Sequence, residues 1–542
     1  MTDKPRLTSK IYLWWNDNRR FKIQTIILFA MFLITHILFL WAPVFAADEE
    51  DVTLGGKAIA RGYLLYRDFT SQHMPVTYYI SALFDFLGAH SIYQQRIAFY
   101  IFYSLMWTFI FVRYRKDFDA KALALFPFLF MCVTCSYDMG TQILSEHVAG
   151  IGFVLIFLEY LRFKSFKDMT LSSCIILSVS ILLTFGTIFV AAYALAVIVI
   201  AVFIKEIMSI VKDLRTSGRP EMKKRLAGFA KLAGIIILPW AIYLVYLLAT
   251  GTLYEFYFSA YEMNRTIYPK YMGGGLGTSA LMTLGSSFIS GFMWFTEYCN
   301  ILTGTDAVTV THVITIVLFL GGLVHIFKKY GAYDMVMTFG FVIYLAGVRG
   351  MFNFHGTHCV EVMCLLGAIF FIEVVCKNCR NVREAGAITL LITAICAVWM
   401  LKPMSAMVGY LGGLFSPEPH NSTDILLNEL TDKDEAIWNC SCENDLFMRA
   451  DRTAMYSIAF TPWGYEAHEE RIMDMFKENG APRICVLDTG YNTWEYEVDD
   501  YAADMIDYIH ENYTLIPAEG SCGRIYVRND MVDTIPEKYM EK

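Results

Sequence analysis

The sequence predicts a polytopic α-helical membrane protein of about 11 TM helices that carries a C-terminal extracytoplasmic α/β domain. Three observations predict it. Hydrophobic residues make up 56% of the 542 positions and charged residues 18%, too apolar for a soluble chain. Apolar runs of roughly 17–25 residues, long enough to cross ~30 Å of hydrocarbon, recur from Phe21 to about Met400. The net charge of −8 is also unevenly divided. From Pro417 to Lys542 there are 27 acidic against 10 basic side chains, a net of −17, which leaves +9 on the hydrophobic part. So acidic a domain argues against nucleic acid as a partner.

The apolar runs place spans near 22–45, 93–112, 120–137, 144–161, 170–186, 187–208, 229–250, 307–327, 333–350, 357–376 and 386–408. The stretch 276–300 is amphipathic and interrupted by Gly and Ser, so it reads as a surface or re-entrant segment. A crossing there would make twelve spans and move the C-terminal domain to the other side. Basic residues set the orientation. Arg19, Arg20 and Lys22 precede the first span, Arg113, Arg115 and Lys116 follow the second, and Arg162, Lys164 and Lys167 follow the fourth. The basic stretch 212–225 follows the sixth, and Lys377, Arg380 and Arg383 follow the tenth. With eleven spans all of these share one side, which the positive-inside rule makes cytoplasmic. Residues 1–21 are then a cytoplasmic N-terminus and 22–408 a transmembrane domain with outer loops 46–92 and 251–306. Residues 409–542 form the extracytoplasmic domain of a protein of the bacterial plasma membrane. Pro43-Val44-Phe45-Ala46-Ala47 imitates a signal cleavage site, but the first span reads as an uncleaved anchor.

The C-terminal domain alternates in type, with helices at 425–430, 467–478 and 501–509 and strands at 435–438, 483–487 and 524–528. It has no Gly-rich phosphate loop, HExxH or GxSxG, so the chemistry is expected elsewhere. Its Cys440, Cys442, Cys485 and Cys522 lie in a compartment that permits disulfides.

Chemistry-bearing residues gather just after the first span. Asp48-Glu49-Glu50-Asp51 follows it at once, and a carboxylate cluster at a membrane face costs several kcal/mol to desolvate, so it belongs in water or in a polar pocket. Gly62-Tyr63-Leu64-Leu65-Tyr66-Arg67-Asp68-Phe69, His73-Met74-Pro75-Val76-Thr77-Tyr78-Tyr79, Leu87-Gly88 and Arg96 follow. The second outer segment is dense in aromatics around Asn264 and ends in Gly273-Gly274-Gly275, where an interfacial aromatic belt is an equally good reading.

An acidic pair after the first span, a Gly-x-x-x-Tyr-x-Asp turn, a Pro-x-x-Tyr helix, Leu-Gly and then Arg resemble the first outer loop of the GT-C glycosyltransferases. The protein O-mannosyltransferase and aminoarabinose transferase group is the nearest by motif. The resemblance implies a GT-C-like transmembrane domain that moves a sugar from a polyprenyl-phosphate carrier to a glycan, lipid or protein acceptor at the outer face. It also implies a loop carboxylate that acts as general base or orients the acceptor. Asp48, fourteen residues before Gly62, matches that position, with Glu49 beside it and Asp51 as the alternative register. A second acidic position falls on Glu146, with Asp138 nearby. Arg349, His355 and His358 resemble the segment that faces the lipid phosphate, although Cys359 stands where the family has Tyr.

The chemistry needs such residues. Displacing a phosphate from an anomeric carbon requires a base for the incoming hydroxyl and positive charge for the leaving group. Lys57, Arg61, Arg67, His73, Arg96, Arg349, His355 and His358 are available for the second task. Glu146, His147, His355 and His358 leave a divalent cation open as a cofactor, without a local spacing that demands one. A transporter or flippase would place ionisable groups at mid-span, and a membrane-anchored sensor would need far fewer spans. The outer clustering of acids and bases favours the transferase over both.

Overall fold

The structure, a computed structural model, describes residues 47–137, 142–217, 221–272, 280–298, 307–349, 353–379, 421–440, 446–450, 461–487, 496–497 and 499–541. The membrane part carries α1 (Ala47–Ala60), α2 (Val76–Phe86), α3 (Ile92–Tyr114), α4 (Ala120–Tyr137), α5 (Ser145–Arg162), α6 (Leu171–Thr184), α7 (Ala191–Ser217) and α8 (Met222–Thr250). Short helical turns over 253–272 lead to α9 (Ala280–Tyr298), α10 (Ala307–Tyr330), α11 (Ala332–Arg349) and α12 (Thr357–Phe370), which a π turn extends to Cys376. By length and composition, Ile92–Tyr114, Ala191–Thr216, Met222–Thr250 and Thr357–Cys376 can each cross a membrane. The spans expected at 120–137, 144–161, 170–186, 307–327 and 333–350 coincide with α4, α5, α6, α10 and α11. Those expected at 22–45 and 386–408 lie outside the described residues.

Helices α5 and α12 form the centre. Every residue of α5 from Ser145 to Leu161 is buried, as is α12 from Thr357 to Ile369, the mark of helices enclosed on all sides. Gly150 permits their contact, since a Cβ there would lie 3.3 Å from the His358 Cα and collide with the Glu361 carboxylate. Helix α8 lies at the edge, with Ile237, Ile242 and Val245 exposed as lipid-facing side chains would be.

The stretch expected as a broken surface segment is instead the continuous helix α9, packed antiparallel along α11. The small residues that read as breakers are what allow this contact. A Cβ on Gly291 would sit 2.9 Å from the Gly347 nitrogen, and one on Gly347 would sit 3.2 Å from the Gly291 Cα, a close approach typical of helices in membranes.

Ion pairs gather at the end of the bundle where α5 finishes. Arg162 pairs with Asp117 at 3.0 Å and Glu159 at 2.9 Å, Lys167 with Asp213 at 2.7 Å, and Lys205 with Asp334 at 2.8 Å. Arg225 is buried between Glu206 and Asp213. The described basic residues after the second, fourth, sixth and tenth expected spans thus share one end, where Lys377 also meets Asp119 at 3.3 Å; those before the first span lie outside the described residues. Ser145 begins α5 at the other end, about 26 Å away for an 18-residue helix.

The C-terminal domain carries α13 (Ser422–Leu430), β1 (Trp438–Cys440), α14 (Pro462–Asn479), β2 (Ile484–Leu487), α15 (Asp499–Asn512), β3 (Tyr513–Leu515) and β4 (Ile525–Arg528). The sheet order is β1-β2-β4-β3, with β1 and β2 parallel and the other pairs antiparallel. Strand β1 begins where the expected strand ends, and β3 is an addition too short to show a pattern. Cys485 and Cys522 are free thiols, Cys440 is buried at the end of β1, and Cys442 lies outside the described residues.

Gly291→Leu should overpack the α9–α11 contact and cost about 1–3 kcal/mol. A thermal melt of the detergent-solubilised protein checks this, with Gly285→Leu, which meets open space, expected to melt like the parent.

Candidate active site

Helix α1 begins with Asp48, Glu49 and Glu50 in its first turn, where carboxylates complement the positive end of the helix dipole. The three side chains part company around the helix. Asp48 is half-buried, whereas Glu49 is fully enclosed in a two-pronged ion pair with Arg96 of α3, at 2.8 Å to Nε and 2.5 Å to Nη2. The same carboxylate accepts the Ile143 amide at 3.3 Å. Glu49 and Arg96, expected as catalytic and substrate-binding groups, thus spend their charges on each other and tie α1, α3 and the start of α5 together.

Asp51, one turn after Asp48, is 5% exposed. It accepts a short hydrogen bond from the Tyr78 hydroxyl, which also meets Ser71 Oγ. Burial pushes the Asp51 carboxyl well above the usual carboxylate range and the Asp48 charge adds to this, while the Tyr78 and Ser71 hydrogen bonds oppose it. Tyr78 reaches Asp51 because α1 carries Gly55 and Gly56 where it crosses α2. A Cβ on Gly55 would be 2.5 Å from Tyr78 Cδ1, and one on Gly56 would collide with Ser81 Oγ.

The turn between α1 and α2 is held in an uncommon conformation. Tyr66 has φ 73, a left-handed backbone that costs a non-glycine residue of order 1–3 kcal/mol and persists only where its surroundings fix it. They do so here. The Tyr66 amide donates to the Phe69 carbonyl at 2.8 Å, its hydroxyl to the His73 carbonyl at 2.8 Å, and its ring packs edge-on to Phe256. The C-terminal domain closes over the turn. Arg471 of α14 donates to the Arg67 carbonyl and, at 3.5 Å, to the Tyr66 carbonyl.

Facing this unit are the starts of α5 and α12. Glu146 is buried, with Oε1 3.5 Å from His355 Nδ1. Thr77 and Ser145 hydroxyls meet at 3.1 Å and join α2 to α5. His355 is 37% exposed. His358 differs: it is fully buried, donates from Nε2 to the Leu345 carbonyl at 2.8 Å, and lies against the Phe153 ring. Of the two histidines, His355 alone reaches the open side.

The remaining expected cations are dispersed. Lys57 is buried and donates to the Phe447 carbonyl of the C-terminal domain at 3.4 Å. Arg61 lies 3.6 Å from Asp85, and Arg67 is exposed and paired with Asp68 at 2.8 Å. His73 is buried with Nε2 3.2 Å from Gln72, whose carbonyl accepts from Asn264 at 2.9 Å. Arg349 ends α11, its side chain outside the described set, and Asp138 lies outside the described residues. Among the described residues no group of three His, Cys, Asp or Glu is arranged to hold a metal ion.

Two features escaped the sequence. Tyr78 is the Tyr of the Pro-x-x-Tyr motif, so its signal was present without a role. Glu361, one turn after His358, is fully buried and accepts from Trp107 Nε1 at 3.2 Å and the Tyr103 hydroxyl at 3.3 Å. An isolated Glu in an apolar run gave no hint of these donors.

This arrangement sits in an architecture seen before. ArnT from Cupriavidus metallidurans in the apo state matches with a TM-score of 0.54 over 95% of this chain and 99% of that one, at 11% identity. The chain has the fold of ArnT. The same protein bound to undecaprenyl phosphate matches with a TM-score of 0.53 at 12% identity, over 94% and 98% of the two chains. The Archaeoglobus fulgidus oligosaccharyltransferase in the apo form matches at 12% identity over 85% and 69%, with a TM-score of 0.42. No protein-family model and no curated protein matches the sequence.

Removing one member of the Glu49–Arg96 pair leaves a buried charge unmatched. Arg96→Met alone should therefore destabilise the protein by about 3–5 kcal/mol, and adding Glu49→Gln should recover much of the loss. A double-mutant cycle of melting temperatures in detergent reads the coupling.

Proposed function

We propose that the protein is a GT-C type glycosyltransferase that transfers a sugar from a polyprenyl-phosphate carrier to an acceptor hydroxyl at the membrane face where α1 lies. The observation that carries this reading is the carboxylate pair Asp48 and Asp51, one turn apart on α1, in a chain with the fold of ArnT. ArnT has itself been crystallised with undecaprenyl phosphate, which supports a lipid carrier of that kind here. The positive-inside rule puts the ion-paired end of the bundle in the cytoplasm and this site on the outer side.

The two aspartates sit in different environments, and such pairs divide acid and base roles. Asp48, half-buried at the mouth, takes the proton of the acceptor hydroxyl. The acceptor oxygen then bonds to the anomeric carbon as the bond from that carbon to the phosphate oxygen breaks. The leaving polyprenyl phosphate keeps the electron pair. Asp51, enclosed by Tyr78 and Ser71, holds its proton and fixes the first turn of α1. His355, 3.5 Å from Glu146 and partly exposed, meets the phosphate and adds positive charge there when protonated. Arg349 at the end of α11 is its partner in that role.

Purified protein should release sugar from a radiolabelled polyprenyl-phosphate donor. Asp48→Asn should abolish transfer with donor binding retained, and Asp51→Asn should keep most of it. The opposite pattern would make Asp51 the base, and two active variants would remove the loop from catalysis.

Asp51 also gives stability a pH dependence. Its folded-state affinity for a proton is raised, so its contribution is complete below the ordinary carboxylate range and is lost as pH rises through the raised value. The parent should lose melting temperature with rising pH relative to Asp51→Asn, and the two curves should converge at acid pH.

Loss of a charge-assisted phosphate contact costs about 1.5–3 kcal/mol. His355→Ala should accordingly raise the donor requirement roughly ten- to a hundredfold. His358→Ala, which removes a buried hydrogen bond, should instead show as a lower melting temperature.

A further inference from the structure

At the end of the bundle away from Asp48, helices α5, α6, α7 and α8 enclose a cavity of about 430 Å³. It runs along α6 from Thr170 to Ile181, about 16 Å at helical rise. That is close to the depth of one leaflet of a ~30 Å hydrocarbon core. Its walls are apolar, and it opens sideways between α7 and α8, where the lining residues Val199, Phe203 and Ile237 are exposed. A slot that is apolar along its length, open to the bilayer and one leaflet deep has the shape of a lipid acyl chain.

The polar end has a distinctive charge pattern. Arg162 and Glu159 line it but are matched, to each other and to Asp117 and Arg113. Lys164 and Asp168 also line it, one shortly before the single turn Phe166–Asp168 and the other at its end, and both are exposed. Neither has an ion-pair partner among the described residues. The mouth therefore presents an unmatched cation and an unmatched anion four residues apart, with a second ammonium, that of Lys231, on the Met169 carbonyl beside them at 2.9 Å. A phosphate flanked by a primary ammonium complements both, and basic pockets between membrane helices are common headgroup sites. A phosphoglycerol headgroup would satisfy Lys164 and leave Asp168 facing a like charge. A trimethylated amine would give Asp168 no hydrogen-bond donor.

We infer that this slot is a binding site for a zwitterionic aminophospholipid, one acyl chain in the cavity, its phosphate at Lys164 and its ammonium at Asp168. The site lies across the membrane from the carboxylates of α1 and stands or falls independently of sugar transfer.

The full-length protein in detergent is titrated with phosphatidylethanolamine, phosphatidylcholine or phosphatidylglycerol of matched chains, and bound lipid is counted by native mass spectrometry. Exposed ion pairs are weak, so the parent should hold phosphatidylethanolamine about two- to fivefold more tightly than the other two. Lys164→Ala should weaken all three lipids. Asp168→Lys should reverse the order in favour of phosphatidylglycerol. Both positions are exposed, so both variants should fold. Equal retention of the three headgroups by the parent, or an order unchanged in Asp168→Lys, would reduce the slot to a place filled by bulk lipid and overturn the assignment.

Discussion

The enclosed pair of Glu49 and Arg96 is the constraint on which the candidate site depends. Helix α1 has few options for anchoring itself, because most of its first turn is acidic and its middle is Gly55-Gly56. Burying a carboxylate there is tolerable only if a cation meets it with good geometry, and the guanidinium of Arg96 does so with two parallel hydrogen bonds. The pair fixes the rotation of α1. Once Glu49 points into the bundle, Asp51 must face Tyr78 and Asp48 must lie toward the mouth, since successive side chains turn by about 100° around a helix.

The glycines of α1 complete what the ion pair begins. With no Cβ at positions 55 and 56, α2 approaches closely enough for Tyr78 to reach Asp51 and for Ser81 to lie against the α1 backbone. The helix pays in propensity, roughly 1 kcal/mol per glycine, and gains a closely packed pair of helices in return. Asp51 is thereby removed from water, which raises its proton affinity.

The C-terminal domain acts on the same region from above. Its acidity keeps it in water, yet its contacts with the membrane part are specific. Lys57 of α1 reaches the Phe447 carbonyl and Arg471 holds the 66–67 turn. Tyr271 and Tyr268 pack on Trp463, and Phe258 lies edge-on to His468. Burial between these rings, with Arg471 nearby, lowers the His468 imidazole to about 4. A neutral imidazole at an aromatic interface costs little to desolvate. The domain thus bridges the segment after α1 and the short helical turns over 253–272, whose mutual position decides how the turn carrying Tyr66 is held.

The sequence by itself determined the helical class of the protein, most helical positions among the described residues and the acidic character of the C-terminal domain, and it singled out the segment where the candidate site lies. These depend on local quantities: apolar run length, charge count and motif spacing. Whether a given charge is free or spent depends on partners far along the chain, and only the tertiary structure decided that. Glu49 and Asp48 are neighbours with identical local signals, and 47 residues separate Glu49 from the arginine that buries it. His355 and His358 share a motif, but helical rotation opens one to the surface and turns the other to Leu345. Gly291 read as a breaker because a helix alone prefers alanine, and it proved a contact because α11 brings Gly347 against it. Glu361 gave no signal, since its donors, Trp107 and Tyr103, lie on α3, some 250 residues earlier.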